Sequence, residues 1–214
     1  MKIPLVYPKI PDGRNCPLKK CIAFEKYDGT NIHFIWTPEM SFIGFGTRRD
    51  RFDTNYKGNK DFANAHLGLE EVVYEIKFNA YLQSLDTYLS VKYNNVKEII
   101  IFTEFLGDKS FAGTHYPNDE KRLILLDVMV GGRMLPPENL IKDFSKFNLA
   151  KIIYKGKYTG QFVEDVRKGK YPVNEGVVVK GVVDGQVYMT KIKTDAYMKR
   201  LQTEFKDNWK DYWE

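Results

Sequence analysis

A lysine stands at the end of a strand-like segment, just before an Asp-Gly turn. The stretch from Glu25 to Asn31 reads Glu-Lys-Tyr-Asp-Gly-Thr-Asn, with Lys26 two residues before the aspartate. An Asp-Gly pair between two apolar runs predicts a tight hairpin turn, which would hold Lys26 at the mouth of a hairpin. On this segment alone, an ordinary hairpin with an exposed lysine explains the pattern equally well.

Two further lysines near the end of the chain have a spacing that suits a phosphate. Lys191 and Lys193 lie two residues apart in a strand-like segment that follows the turn at Asp184 and Gly185. Side chains two residues apart on a strand project from the same face of the sheet. Two ammonium groups on one face can together hold one phosphate group.

Several segments, taken in order, resemble the covalent nucleotidyltransferases, which include ATP-dependent DNA ligases, RNA ligases and mRNA capping enzymes. The similarity runs from Lys26 to Lys193. The matching segments are Lys26-Tyr27-Asp28-Gly29, Thr47-Arg48, Thr103-Glu104-Phe105-Leu106-Gly107, Leu125-Leu126-Asp127-Val128, Glu175 to Lys180 and Lys191-Ile192-Lys193. The resemblance implies a nucleotidyltransferase domain, that is, an ATP-grasp-like ligase adenylation domain.

The resemblance gives Lys26 the role of nucleophile. It implies that Lys26 attacks the α-phosphorus of ATP, expels pyrophosphate and forms a lysyl-adenylate. The adenylyl group then passes to a 5′-phosphate end, and a 3′-hydroxyl attacks and releases AMP. A lysine with an ordinary pKa of about 10.4 is protonated at neutral pH and cannot attack. Lys191 and Lys193, together with a divalent cation, would disfavour the ammonium form and stabilise charge growing on the phosphoryl oxygens.

The resemblance also implies which residues bind the nucleotide. It places Glu25 at the adenine amino group and Glu104 at the ribose hydroxyls. It places Arg48 at the nucleotide or at the strand that carries the 3′-hydroxyl, with Arg49 and Arg51 as alternatives for that role. A solvated charged loop is the non-functional interpretation of these three arginines.

Two carboxylates are implied as ligands of Mg²⁺ or Mn²⁺. Glu175 is expected to bind the metal or its water shell, and Glu104 is the second metal-binding residue, because carboxylates suit a cation that keeps several waters. The sequence departs from the family pattern at two positions. Leu126 stands where an aromatic residue often stacks on adenine, so an apolar contact is expected there, and Thr103 stands where glycine is common.

Asn31, five residues after the lysine, bears on the substrate. DNA ligases and capping enzymes usually place arginine there, whereas nick-sealing RNA ligases of phage and RNA-editing type usually place asparagine. The resemblance therefore implies an RNA ligase that acts on RNA with 5′-phosphate and 3′-hydroxyl ends, in a nicked duplex or a single strand. A small DNA ligase or capping-type guanylyltransferase is the alternative, and a non-catalytic protein that binds nucleic-acid ends is a third hypothesis.

Composition sets bounds on the class of protein. The 33 Lys and Arg residues exceed the 28 Asp and Glu residues by five, which suits an anionic partner such as RNA. Two cysteines indicate neither a zinc site nor a disulfide framework. No apolar run has the length of a membrane span, so a cytoplasmic protein is expected, with a virus- or phage-encoded origin also consistent. The histidines have no metal-ligand spacing and are interpreted as structural; they are His33, His66 and His115.

The pattern of apolar residues predicts an α+β fold of mainly antiparallel sheets with flanking helices. The predicted strands are 21–27, 31–37, 41–45, 96–105, 123–130, 176–180 and 187–192. The predicted helices are 69–93, 137–147, 160–168 and 195–214. We expect one adenylyltransferase domain over residues 1–214, with the last helix packed on it and no oligonucleotide-binding (OB) domain. An accessory protein or domain is then expected to help bind the RNA ends.

Overall fold

The protein is described by a computed structural model that covers residues 6–74, 76–107 and 121–212. The chain divides into two compact units. The first, called the six-stranded unit, comprises Met1–Pro8, Asp28–Leu135 and Asn139–Leu149. The second, called the four-stranded unit, comprises Lys9–Tyr27, Pro136–Glu138 and Ala150–Glu214. The prediction that the chain forms one domain stays a prediction.

The elements are numbered along the chain. The strands are β1 (Lys20–Lys26), β2 (Thr30–Thr37), β3 (Ser41–Thr47), β4 (Phe52–Asp53), β5 (Ile99–Leu106), β6 (Arg122–Val130), β7 (Arg133–Met134), β8 (Ile152–Lys157), β9 (Gly176–Val183) and β10 (Gln186–Lys193). The α-helices are α1 (Tyr56–Ala65), α2 (Glu71–Tyr74), α3 (Ile76–Lys92), α4 (Pro137–Phe144), α5 (Gly160–Arg167) and α6 (Asp195–Phe205). Two short 3₁₀ helices span Gly13–Asn15 and Lys206–Tyr212.

The six-stranded unit is built on an antiparallel sheet with the strand order β4-β3-β2-β5-β6-β7. Alternate residues of β5, Ile99 and Ile101, point into the core, as the period of two along a strand requires. Leu85 and Leu89 lie four residues apart on α3 and pack in the same core. This packing fixes β2 and β5 as central strands.

The four-stranded unit is built on an antiparallel sheet with the order β10-β9-β1-β8. One face of this sheet is apolar and packs with Phe162 and Val166 of α5. Ala23, Val177 and Ile192 supply part of that face. The alternate residues of β1, β9 and β10 form the other face, which therefore carries the lysines of the candidate site.

The expected α+β fold of antiparallel sheets with flanking helices is confirmed. Each predicted strand and helix has a counterpart, although α6 ends at Phe205, where the backbone turns at Lys206 with φ 44°. Tyr197 and Leu201 of α6 are buried, which agrees with core packing rather than base stacking. None of the helices in the described ranges is both long and apolar enough to cross a bilayer.

Sequence patterns missed β8 and α1. The β8 segment, Ile152–Lys157, contains two lysines and a glycine, residue types that are depleted in strands. The α1 helix, Tyr56–Ala65, buries only Phe62 and Gly58 and therefore lacks a clear apolar stripe. Its start is fixed instead by Asn55, whose side chain accepts a hydrogen bond from the Gly58 amide.

Candidate active site

Lys26, Glu175 and Lys193 meet at one end of the four-stranded sheet. Lys26 ends β1 and lies opposite Gly176 of β9, and Lys193 ends β10 and lies opposite the same glycine from the other side. Glu175 precedes Gly176 in the chain. Its Oε1 atom is 2.8 Å from Lys26 Nζ and 3.2 Å from Lys193 Nζ. The antiparallel register thus joins residues from opposite ends of the sequence.

This cluster is unequally exposed to solvent. The side chains of Glu175 and Lys193 are 3% and 6% exposed, whereas that of Lys26 is 21% exposed. Buried charges are tolerated when they are paired, and here one carboxylate serves two ammonium groups. The pair of cations leaves an excess positive charge, which suits a phosphate. Lys26, the most accessible member, is the one that a ligand can reach most easily.

Glu175 also has an oxygen that suits a cation. Its second carboxylate oxygen, Oε2, is buried, and no group within the described residues hydrogen-bonds to it. Across the same ranges, no three His, Cys, Asp or Glu side chains are grouped as metal ligands. Glu175 therefore fits a cation such as Mg²⁺, which takes one or two carboxylates and completes its shell with waters and substrate phosphates.

Gly176 makes this arrangement possible because it has no side chain. Its φ is +151°, and an added Cβ would lie 2.0 Å from the carbonyl oxygen of Ile192. Real Cβ atoms do not approach backbone atoms that closely, so any other residue would push β9 away from β10. Glycine thus allows Glu175 to lie between the two lysines.

We predict that Gly176→Ala lowers the free energy of unfolding by roughly 2–4 kcal/mol, because the substitution combines backbone strain with a clash against a neighbouring strand. Urea denaturation followed by circular dichroism measures the change. Gly160→Ala is a matched control, since an added Cβ at Gly160 meets nothing within 4 Å. Equal stability of the two variants would contradict the assignment.

Lys191 lies on the same face of the sheet as Lys193. It pairs with Val178, one row further from the strand end, and it is buried with 8% exposure. Its backbone N–H donates to the carbonyl oxygen of Pro11 at 2.9 Å, which fixes this part of β10. The predicted shared face of the two lysines is therefore present in the structure.

A second group of predicted residues lies in the six-stranded unit, around Glu104 of β5. Asn31 of β2 is directly opposite Glu104, so their side chains share a face. The Gly29 amide donates to Glu104 Oε1 at 3.1 Å, and an added Cβ at Gly29 would lie 2.4 Å from the carbonyl oxygen of Phe105. This close approach orients the carboxylate of Glu104.

Asn31 itself is held through one end of its amide. Its Nδ2 donates to the carbonyl oxygen of Thr103 at 3.3 Å. Its Oδ1 is buried, and nothing in the described part of the chain donates a hydrogen bond to it. A buried acceptor without a donor is costly, so this oxygen suits a hydroxyl or amine of a ligand.

Comparison with known proteins identifies the family. A family model described as RNA ligase matches residues 19–193, which is most of the chain. The chain belongs to the RNA ligase family. The match includes every segment on which the resemblance to nucleotidyltransferases rests, from Lys26 to Lys193.

Solved RNA ligase structures share this fold. A variant of Naegleria gruberi RNA ligase with ATP and Mn matches with a TM-score of 0.60 and 15% identity, over 93% of this chain and 59% of that one. An archaeal ATP-dependent RNA ligase matches with a TM-score of 0.55 and 18% identity, over 93% of this chain and 51% of that one. The chain thus spans between half and three-fifths of the length of these structures. No curated protein sequence matches it significantly.

Within the RNA ligase family pattern, Leu126 replaces the usual aromatic residue, and the structure places it in a β-bulge. Phe102 lies opposite Asp127 and Thr103 lies opposite Leu125, so Leu126 is the extra residue of β6. A bulge redirects a side chain and often lies beside an active site. Leu126 is half-buried, which suits the apolar contact predicted for it.

Sequence reasoning missed Tyr7, which packs beside this bulge. The Tyr7 hydroxyl donates to Asp127 Oδ2, and its ring centre is 4.8 Å from that of Phe102. Burial, followed by the negative charge of Asp127, raises the pKa of Tyr7 well above its usual value. Tyr7 lies in a proline-rich segment without apolar periodicity, so no sequence signal marked it.

Arg48 is bound to the same amino-terminal segment. Its Nε and Nη2 atoms donate to the carbonyl oxygens of Tyr7 and Pro8 at 3.3 and 2.8 Å. Burial lowers the pKa of Arg48, although a guanidinium stays charged in proteins. The nucleotide-binding role predicted for Arg48 stays a prediction, as does the adenine role of Glu25, which neighbours Lys26 on β1 and so points to the opposite face.

Two histidines have structural surroundings. His33 is fully buried, with Nδ1 3.0 Å from the carbonyl oxygen of Thr47, and burial lowers its pKa to about 4. It is therefore neutral at physiological pH. His66 Nε2 lies 3.0 Å from Asp50 Oδ2, and Asp50 also accepts a hydrogen bond from the Thr47 hydroxyl. His115 lies outside the described residues.

Proposed function

We propose that this chain is an ATP- and divalent-metal-dependent RNA ligase that forms a lysyl-adenylate on Lys26. The observation that carries the proposal is the ion pair between Lys26 and the buried Glu175, which Lys193 shares. Membership of the RNA ligase family supports it. The ATP, AMP and Mn named with the similar Naegleria gruberi structures are consistent with the same nucleotide and a divalent metal.

The first step would be attack of Lys26 on ATP. An amine attacks only when it is neutral, so the ion pair with Glu175 must open and the Nζ atom must lose a proton. A bond then forms between Nζ and the α-phosphorus, and the bond to the bridging oxygen breaks, which leaves pyrophosphate with the electron pair. Lys193 continues to pair with Glu175 when Lys26 leaves, so the buried carboxylate keeps a counter-ion.

A divalent cation bound at Glu175 would stabilise charge on the phosphoryl oxygens. The chain itself supplies positive charge for the same purpose through Lys191 and Lys193, which share one sheet face. We assign metal binding to Glu175 on the basis of its buried Oε2 atom. The corresponding metal role of Glu104 is proposed from the family resemblance alone.

The later steps would transfer AMP to the RNA and release it. The 5′-phosphate of RNA attacks the lysyl-adenylate, which breaks the bond between Nζ and phosphorus and forms a phosphoanhydride. A 3′-hydroxyl then attacks the 5′-phosphate, and AMP leaves. We propose that Glu104 and the buried Oδ1 of Asn31 accept hydrogen bonds from hydroxyl groups of the nucleotide or RNA end, since both are acceptors on one face. An accessory protein or domain is proposed to assist end binding.

The proposal is tested by incubating the protein with α-labelled ATP and Mg²⁺, and then with a panel of nucleic acids. We expect a labelled protein band that is chased into joined RNA and AMP when nicked or single-stranded RNA with 5′-phosphate and 3′-hydroxyl ends is added. Absence of the band would refute the proposal. A preference for GTP would indicate a capping enzyme, and a preference for nicks with DNA 3′ ends would indicate a DNA ligase.

A further inference from the structure

A basic groove lies in the four-stranded unit, at the end of β1 that is opposite to Lys26. The groove has a volume of about 830 Å³ and is formed by the start of β1, the end of β8 and the end of β9. Its lining includes exposed lysines and only two acidic residues, Glu138 and Asp184. The exposed lysines are Lys19, Lys20, Lys155 and Lys157.

The lysines of this groove are arranged so that they repel one another. Lys20 of β1 lies directly opposite Lys157 of β8. Lys155 lies two residues before Lys157 and opposite Ile22, so it is on the same face. Like charges directly opposite each other destabilise an antiparallel pair of strands. Within the described residues, none of these three lysines forms an ion pair that would relieve the repulsion.

The spacing of these charges suits an extended chain of phosphates. Lys155 and Lys157 are about 6.6 Å apart along the strand, which matches two steps of about 3.4 Å along a nucleic-acid strand. A single small anion would engage one end of this row, whereas a polynucleotide can engage all of it. The openness of the groove to exposed lysines on both strands also suits a ligand that passes through it.

The groove lies on the same face of β1 as the proposed nucleophile. Lys20 and Lys26 are six residues apart, so both fall on one face, about 20 Å from each other along the strand. That distance corresponds to about six nucleotides of a strand at about 3.4 Å each. An RNA whose end lies at Lys26 is therefore long enough to reach the groove once it exceeds about six nucleotides.

We propose that Lys20, Lys155 and Lys157 bind the phosphodiester backbone of the RNA substrate about six nucleotides from the end that is joined. The inference rests on the proposed ligase function for the identity of the RNA. It adds a contact that reads no base sequence, because lysines neutralise phosphates without distinguishing bases. Its signature is a dependence on both RNA length and salt concentration.

The test compares the wild type with a variant that carries Lys20→Gln, Lys155→Gln and Lys157→Gln. Binding of 5′-phosphorylated single-stranded RNAs of 4 and 20 nucleotides is measured by fluorescence anisotropy over a range of salt concentrations. For the longer RNA we expect affinity to fall about tenfold or more at 0.1 M salt. The slope of log affinity against log salt should decrease by about 2, since each lost contact removes about 0.7.

Two comparisons separate a specific groove from a general charge effect. A control variant with Lys60→Gln, Lys97→Gln and Lys199→Gln loses the same charge at three exposed positions outside the groove and should bind like the wild type. The 4-nucleotide RNA should bind all three proteins equally. An equal loss in the control variant, or on the short RNA, would overturn the proposal.

Labelling with α-labelled ATP, measured in parallel, distinguishes failure of the groove from failure of the ligase proposal. The groove variant should label at the wild-type rate, because its substitutions are far from Lys26. If the wild type labels and the groove variant binds long RNA with unchanged affinity and salt slope, the groove proposal alone is wrong. If the wild type does not label, the ligase proposal is wrong, while the binding series still decides whether the groove holds RNA.

Discussion

Lys26→Arg is expected to abolish labelling of the protein by α-labelled ATP while preserving its fold. Arginine keeps the positive charge that pairs with Glu175, but a guanidinium is never neutral in a protein and cannot act as the nucleophile. Loss of a covalent nucleophile typically lowers the rate by a factor on the order of 10⁴ to 10⁶. The initial rate of band labelling measures this loss.

The same variant should still join RNA that already carries a 5′-adenylyl group. In that final step AMP is the leaving group and no lysine nucleophile is consumed, so Lys26→Arg should retain substantial joining activity. Lys170→Arg is a matched control, because Lys170 pairs with Asp165 at 2.7 Å on the surface and should label normally. A labelled band that persists in Lys26→Arg would assign the nucleophile to another residue.

Glu175→Gln is expected to lower both stability and adenylylation. Neutralising this carboxylate leaves Lys193 buried, and Lys26 partly buried, without the anion that both now contact. Breaking a buried ion pair from one side costs about 3–5 kcal/mol. Loss of a preorganised charge at the reacting phosphate should also lower the labelling rate by about 10²- to 10³-fold.

A second substitution separates these two effects. Adding Lys193→Gln to Glu175→Gln removes one of the uncompensated cations, so we expect part of the lost unfolding free energy to return. Labelling should stay low, because both substituted groups belong to the proposed phosphate site. Urea denaturation and labelling of the four proteins complete the cycle. Full stability of Glu175→Gln, or recovery of labelling in the double variant, would contradict the role of Glu175.

Local patterns predicted the elements better than the contacts between them. The two-residue spacing of Lys191 and Lys193 fixed their shared face, because alternation along a strand is a property of the backbone. The Asp-Gly turn after Lys26 likewise separated β1 from β2. The pairing of Lys26 with Glu175 depends instead on the register of β1 against β9, which the spacing of residues along the chain does not specify.

Other features of the site have no local signal at all. The bulge at Leu126 is defined by two residues of β6 opposing one interval of β5, so it is visible only when the strands are paired. The contact of Tyr7 with Asp127 joins a proline-rich segment to a distant strand. The roles of Arg48 and Glu25 rest on the family resemblance, and substitution is the measurement that tests them.

The position of β8 at the edge of its sheet places a second demand on the groove lysines. An edge strand exposes unpaired backbone groups that can pair with a strand of another molecule, and lysines on such an edge oppose that association. Lys155 and Lys157 therefore also protect the protein from self-association. Their replacement by neutral residues would remove colloidal protection together with RNA contacts, which constrains how far this strand can change in evolution.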